Sequence, residues 1–271
     1  MSTVTSTPVG SDTPLVRALF RQVRRCFDAP PARVSQKQAA GGAGVKALVV
    51  KHLEAFDVPY FVGAPTCEAV VAGNVAVTRL CGGTVSPGSV AEFARRVCDV
   101  WPHGPGATAP LHIALALADT PKVLRHAAPL TMRDINSGAT WCNEGLIIMF
   151  RFDADFWKTL LHELIHFVRR TKDEAETEFL ALLVHAMIRS PSWAAFEAHL
   201  QEQQRLSQAV ARKLRRVDAG STNATEYWEI GAVCFLNNAE EVLAGRAPAR
   251  RAHKHTVTRG ARDTVLRVSC S

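Results

Sequence analysis

The chain has 271 residues, 47% of them apolar, with seven cysteines and a formal net charge of +7. That length and apolar share suffice to bury one main domain with a smaller accessory region, and no apolar run approaches the ~20 residues that cross a bilayer. The start, Met1-Ser-Thr-Val-Thr-Ser-Thr-Pro, lacks the basic and apolar stretches of a secretory signal. Cysteines that are scattered, odd in number and free of any CxxC pair argue against a disulfide framework or a cysteine-built structural metal site. They fit an intracellular, reducing compartment, cytoplasm or nucleus.

In chain order, residues 1–13 are rich in Ser, Thr, Pro and Gly and are expected to be disordered. Leu15 to Phe27 reads as a basic amphipathic helix with Leu15, Leu19, Val23 and Cys26 on one face, suited to a membrane surface, a partner or its own domain. Pro30 to Gly44 has linker composition. From Val45 to about Leu130, helical stretches (45–56, 89–100) mix with short β runs (69–77, 111–117), which predicts a small sheet subdomain forming one wall of a cleft. Asn136-Ser-Gly signals a turn, and Leu146-Ile-Ile-Met-Phe150 is a continuous apolar run that reads as a strand.

The next segment carries the chemistry. Asp153 to Arg170 has acidic residues at its start and basic ones at its end, and Phe156, Leu160, Leu161, Leu164, Ile165 and Val168 give it a buried helix. Within it, His162-Glu-Leu-Ile-His166 spells HExxH. Residues four apart on a helix share a face about 5–6 Å apart, so both imidazoles can close on one metal ion, and zinc accepts that geometry. Glu163 lies to the adjacent side, where it can take a proton from a metal-activated water. The bland alternative is a core helix with two satisfied histidines and a surface glutamate. After a short turn at Arg170-Thr-Lys-Asp173 a second helix begins, and an antiparallel hairpin places Glu174 level with His166 and Glu178 level with His162. Glu176 points away from both and is expected in solvent.

Glu174-Ala-Glu-Thr-Glu178 resembles the glutamate helix of the thermolysin-like zincins, the gluzincins. The resemblance implies an α+β zincin-like fold: a small mixed sheet, an edge strand beside the HExxH helix and an antiparallel glutamate helix. It implies a zinc metalloendopeptidase that hydrolyses polypeptides, with His162, His166 and Glu174 as zinc ligands, Glu163 as general base and Glu178 orienting His162. The gap between the two helices is much shorter than in thermolysin, which leaves open a swap in which Glu178 ligates. The series Leu111-His-Ile-Ala-Leu, Thr120-Pro-Lys-Val-Leu, Asn136-Ser-Gly-Ala-Thr140, Leu146 to Arg151, HExxH and Glu174 to Glu178 is similar to HExxH peptidases encoded by giant and other large DNA viruses, which adds the virion as a location. In zincins the edge strand binds substrate by strand addition, and Leu146–Phe150 is placed either for that role or as a plain core strand. Such sites also use a phenol or imidazole to donate to the developing oxyanion; Tyr227 is the candidate, with helix packing as the alternative.

His185 lies on the Glu174/Glu178 stripe, nearly two turns beyond Glu178 and too far to share the metal. His112 sits inside an apolar strand, and His253 and His255 flank Lys254 in a basic tail. The expected division is 1–44 (disordered segment, basic helix and linker), 45–244 (metallopeptidase domain) and 245–271 (basic tail). The tail carries most of the net charge and motivates a rival reading: a catalytically inactive, metal-stabilised factor that contacts nucleic acid non-specifically or resides in a virion.

Overall fold

The structure, a computed structural model, describes residues 13–31, 35–36, 47–52, 68–81, 84–118, 137–152, 154–217 and 223–246. The serine- and threonine-rich start, most of the linker, the Thr120–Leu124 stretch, His253, His255 and nearly all of the basic tail lie outside these residues.

The strands are β1 (Ser35–Gln36), β2 (Glu68–Ala72), β3 (Val75–Cys81), β4 (Leu111–Ala118), β5 (Gly138–Trp141) and β6 (Leu146–Arg151). The helices are α1 (Pro14–Asp28), α2 (Pro87–Val100), α3 (Phe156–Arg169), α4 (Glu174–Arg189), α5 (Trp193–Val217), α6 (Asn223–Val233) and α7 (Leu236–Leu243), with a further helical stretch at 47–52. The fold is mixed α+β. Five strands and the two-residue β1 form one mixed sheet in the order β1-β2-β3-β4-β6-β5. β3, β4 and β6 run parallel, while β2 and β5 pair antiparallel to β3 and β6.

Parallel strands buried on both faces carry continuous apolar runs, and β4 and β6 do. Ile113, Leu115, Leu117, Ile147 and Met149 join the large core under the helices, while Ala114, Ala116, Leu146, Ile148 and Phe150 pack on the opposite face with Val49. The alternation follows from successive side chains pointing to opposite faces. The single β run expected at 69–77 is instead a hairpin. It breaks at Gly73-Asn74, where Gly73 takes φ +62, the left-handed backbone a tight turn needs at its first central position.

The edge-strand placement of Leu146–Phe150 is corrected in favour of the inner one that the sequence also allows: β6 pairs on one side with β4 and on the other with β5, so β5 ends the sheet among the described residues. Helix α1 packs on the main domain, one of the placements its sequence allows. Its buried face is Val16, Phe20 and Val23, part of the same core as α2, α3 and α4, while Leu15 is 41% exposed. The carboxylate of Glu240 in α7 accepts from the backbone N–H groups of Leu15 and Val16, both at 3.0 Å, and so caps the first helix from the last.

Candidate metal centre

Helix α3 is held on the helix-covered face of the sheet by the apolar stripe that includes Leu160, Leu161, Leu164 and Val168, all fully buried. Arg170 ends it in a left-handed conformation, φ 53, and its guanidinium donates to the Cys142 carbonyl and covers the Phe167 ring. Three residues later Asp173 begins α4, its side chain accepting from the Glu176 N–H at 3.0 Å. Lys158 and His162 pair with Glu178 near one end of the hairpin and His166 pairs with Glu174 nearer the turn, so the two helices run antiparallel. Glu176 is not free in solvent as expected; it is half-buried against Arg169 at 2.8 Å.

This hairpin brings His162, His166 and Glu174 to one point. His162 Nε2 and His166 Nε2 are 3.1 Å apart, and Glu174 Oε2 lies 3.2 Å from the first and 3.3 Å from the second. The other ring nitrogens have acceptors of their own. His162 Nδ1 donates to Glu178 Oε2 at 2.9 Å, and His166 Nδ1 donates to the Thr171 carbonyl at 3.0 Å. With hydrogen placed on both Nδ1 atoms, both Nε2 lone pairs and a carboxylate oxygen face one another. Such a focus of three acceptors holds a proton or a cation.

The donor set fits a metal ion. Ligand atoms about 2.0–2.1 Å from a tetrahedral zinc are separated by about 3.3–3.4 Å, and the observed separations of 3.1–3.3 Å are close to that. Among the described residues, His162, His166 and Glu174 form the group whose ligand atoms lie close enough together to hold a metal ion. Both histidines are buried, whereas the Glu174 side chain is 60% exposed, so the group opens toward solvent on that side.

The electrostatics agree. Burial opposes charge on His162, but hydrogen bonds to Glu174 and Glu178 outweigh it and raise the imidazole to about 10. Burial likewise lowers His166, and its bond to Glu174 more than reverses this. Partial desolvation pushes the Glu174 carboxyl up, yet the bonds from His162 and His166 hold it well below the usual carboxylate range. Glu178 is nearly inaccessible; burial raises its carboxyl, but the Lys158 ammonium, 2.6 Å from Oε1, and His162 bring it down.

No protein-family model, curated protein or solved structure matches this chain.

Glu163 is buried and turned toward β5, where Thr140 Oγ1 lies 2.6 Å from Oε2 and 3.1 Å from the Glu163 carbonyl oxygen. Tyr227, on α6, stands edge-on to His162 with ring centroids 6.1 Å apart, and Lys158 Nζ is 5.9 Å from the tyrosine ring centre. His185 makes no part of the group; burial, then Arg189, Lys158 and His199, lower its imidazole to about 4. His112 bonds Thr78 Oγ1 at 2.9 Å within the sheet, and burial lowers it. Three partners went unread in the sequence: Thr140, Lys158 and the Thr171 carbonyl. Lys158 had a signal, because it precedes His162 by one helical turn and shares its face. A backbone carbonyl in a turn leaves none.

Proposed function

We propose that the protein is a zinc-dependent metallopeptidase of zincin type that hydrolyses peptide bonds. The observation that carries this reading is the convergence of His162 Nε2, His166 Nε2 and Glu174 Oε2 within 3.1–3.3 Å, with Glu163 next along the helix. His162, His166 and Glu174 would hold the zinc, which when bound would supply Lewis acidity toward a carbonyl and a water. A two-histidine, one-carboxylate set also suits ferrous iron, and a glutamate directly after the first ligand favours hydrolysis and hence zinc.

In this mechanism Glu163 accepts the proton of the attacking water and passes it to the departing amine. Glu178 keeps the His162 ring in one tautomer and orientation, as the Thr171 carbonyl does for His166. Tyr227 is proposed to donate from its phenol to the carbonyl oxygen as negative charge develops there; its ring beside His162 supports this. Glu174, rather than Glu178, is assigned as third ligand because Glu178 occupies the opposite nitrogen of His162.

The test combines metal content with cleavage of a broad peptide library read by mass spectrometry. One zinc per chain in wild type, lost in His162→Ala, together with cleavage that Glu163→Gln lowers by about 10²–10⁴-fold while keeping its zinc, is the expected result. A chain that never holds zinc sinks the reading. Zinc with an intact library points instead to a metal-stabilised binding module.

A further inference from the structure

We propose that Thr140 is a positioning residue for Glu163: its hydroxyl fixes the carboxylate in the orientation from which it handles protons beside the metal group. This rests on the peptidase reading of the same site. Thr140 Oγ1 is 2.6 Å from Glu163 Oε2, and both residues are buried, so water does not compete freely for the bond. Among the described residues Thr140 is the partner of that carboxylate.

The placement follows from strand register. Thr140 pairs with Ile147 and Gly138 with Met149, and Ile147 and Met149 face the helices. Residues 138 and 140 therefore share the face of β5 that α3 covers, while Ala139 packs with the core on the other side. Gly138 completes the seat. A Cβ there would stand 3.1 Å from Glu163 Cγ and 2.8 Å from Met149 Sδ, so the bare backbone leaves the space that the glutamate stem uses. The same hydroxyl is also 3.1 Å from the Glu163 carbonyl oxygen, a second point that sets threonine against this turn of α3. A glutamate alone samples many rotamers; one oxygen bonded to a strand residue leaves the other oriented by the scaffold.

Binding of acetohydroxamate to the zinc-loaded full chain, measured by calorimetry, tests this without a substrate, because the hydroxamate chelates the metal and gives its hydroxyl proton to an adjacent base. Zinc content is checked first in every variant. Thr140→Val, or Thr140→Ala if the valine variant does not fold, is expected to bind about tenfold more weakly. Thr140→Ser is expected to bind as wild type does. Glu163→Gln also binds more weakly, and adding Thr140→Val to it costs nothing more, because the threonine acts through the glutamate. Unchanged binding in Thr140→Val, or an undiminished further loss in the Glu163→Gln background, overturns the proposal while the metal site stands. A wild type that holds no zinc overturns the reading of the site and this inference with it.

Discussion

His162 and His166 are metal ligands only if their Nε2 atoms are free of hydrogen, and each is made so by what its Nδ1 meets. The Glu178 carboxylate and the Thr171 carbonyl can only accept, so the hydrogen sits on Nδ1 in both rings. Lys158 stands one step further out. It neutralises a carboxylate that is 3% exposed, and without it Glu178 would carry an uncompensated charge or take up a proton and release His162. Lys158→Met is therefore expected to lower zinc affinity by about tenfold in a chelator competition titration; equal affinities would remove Lys158 from the account. Acidity gives a second prediction. In the metal-free protein the His162 imidazole is raised from 6.5 to about 10, so its stabilising contribution is complete below about pH 6.5, declines as pH rises and is gone above about 10. Glu178 is lowered from 4.5, so its contribution is present above that pH and fades as pH falls. Thermal melts in chelator should show the melting temperature falling between pH 7 and 10, and zinc, which takes the place of the proton, should flatten that decline. A chelated protein with a flat alkaline profile would contradict the assigned bonds.

The α3–α4 hairpin is the element on which the site depends, because it alone sets Glu174 opposite His162 and His166. Asp173 caps α4 and so fixes the turn that carries Glu174. Asp173→Ala is expected to cost about 1 kcal/mol of stability in denaturant unfolding and to weaken zinc binding in parallel; a stability loss with unchanged zinc affinity would uncouple the cap from the site. Much of this hairpin was legible beforehand: HExxH on a buried helix, a short turn, then acids spaced one turn apart leave few ways to fold. The sheet was less legible. Residues 138–141 hold only four residues of strand, Gly-Ala-Thr-Trp, with a glycine start that reads equally as the end of a turn, which hides β5 and leaves β6 readable as either an edge or a core strand. β6 itself carried the contrary signal, since a strand apolar at every position from Leu146 to Phe150 is buried on both faces, and an edge strand seldom is. The hairpin at Gly73-Asn74 likewise lies inside a valine-rich run, where the β propensity of the flanking valines masks a Gly-Asn turn signal that the sequence does carry.

At the scale of the whole molecule, α1 belongs to the same core as the helices that carry His162, His166 and Glu174, and part of its basic face also bonds to the rest of the chain. Arg24 donates to the Ile188 and Ser190 carbonyls at the end of α4, and Arg17 covers the Trp193 ring at 4.2 Å. Burying Val16, Phe20 and Val23 contributes about 1.5–3 kcal/mol each before the cost of ordering the chain, and the net stability of a domain is only roughly 5–15 kcal/mol. Deleting residues 1–28 is expected to yield a chain without a cooperative thermal transition; a truncated protein that melts like the full chain would return α1 to the status of an appendage. No helix among the described residues is long and apolar enough to cross a membrane. Zinc K-edge X-ray absorption of the zinc-loaded full chain decides whether this frame makes His162, His166 and Glu174 one ligand set. Nitrogen and oxygen scatterers at about 2.0–2.1 Å are expected, with outer-shell scattering from two imidazoles and no sulfur at about 2.3 Å. Sulfur ligation, or a zinc surrounded by oxygens without imidazole scattering, would contradict that ligand set.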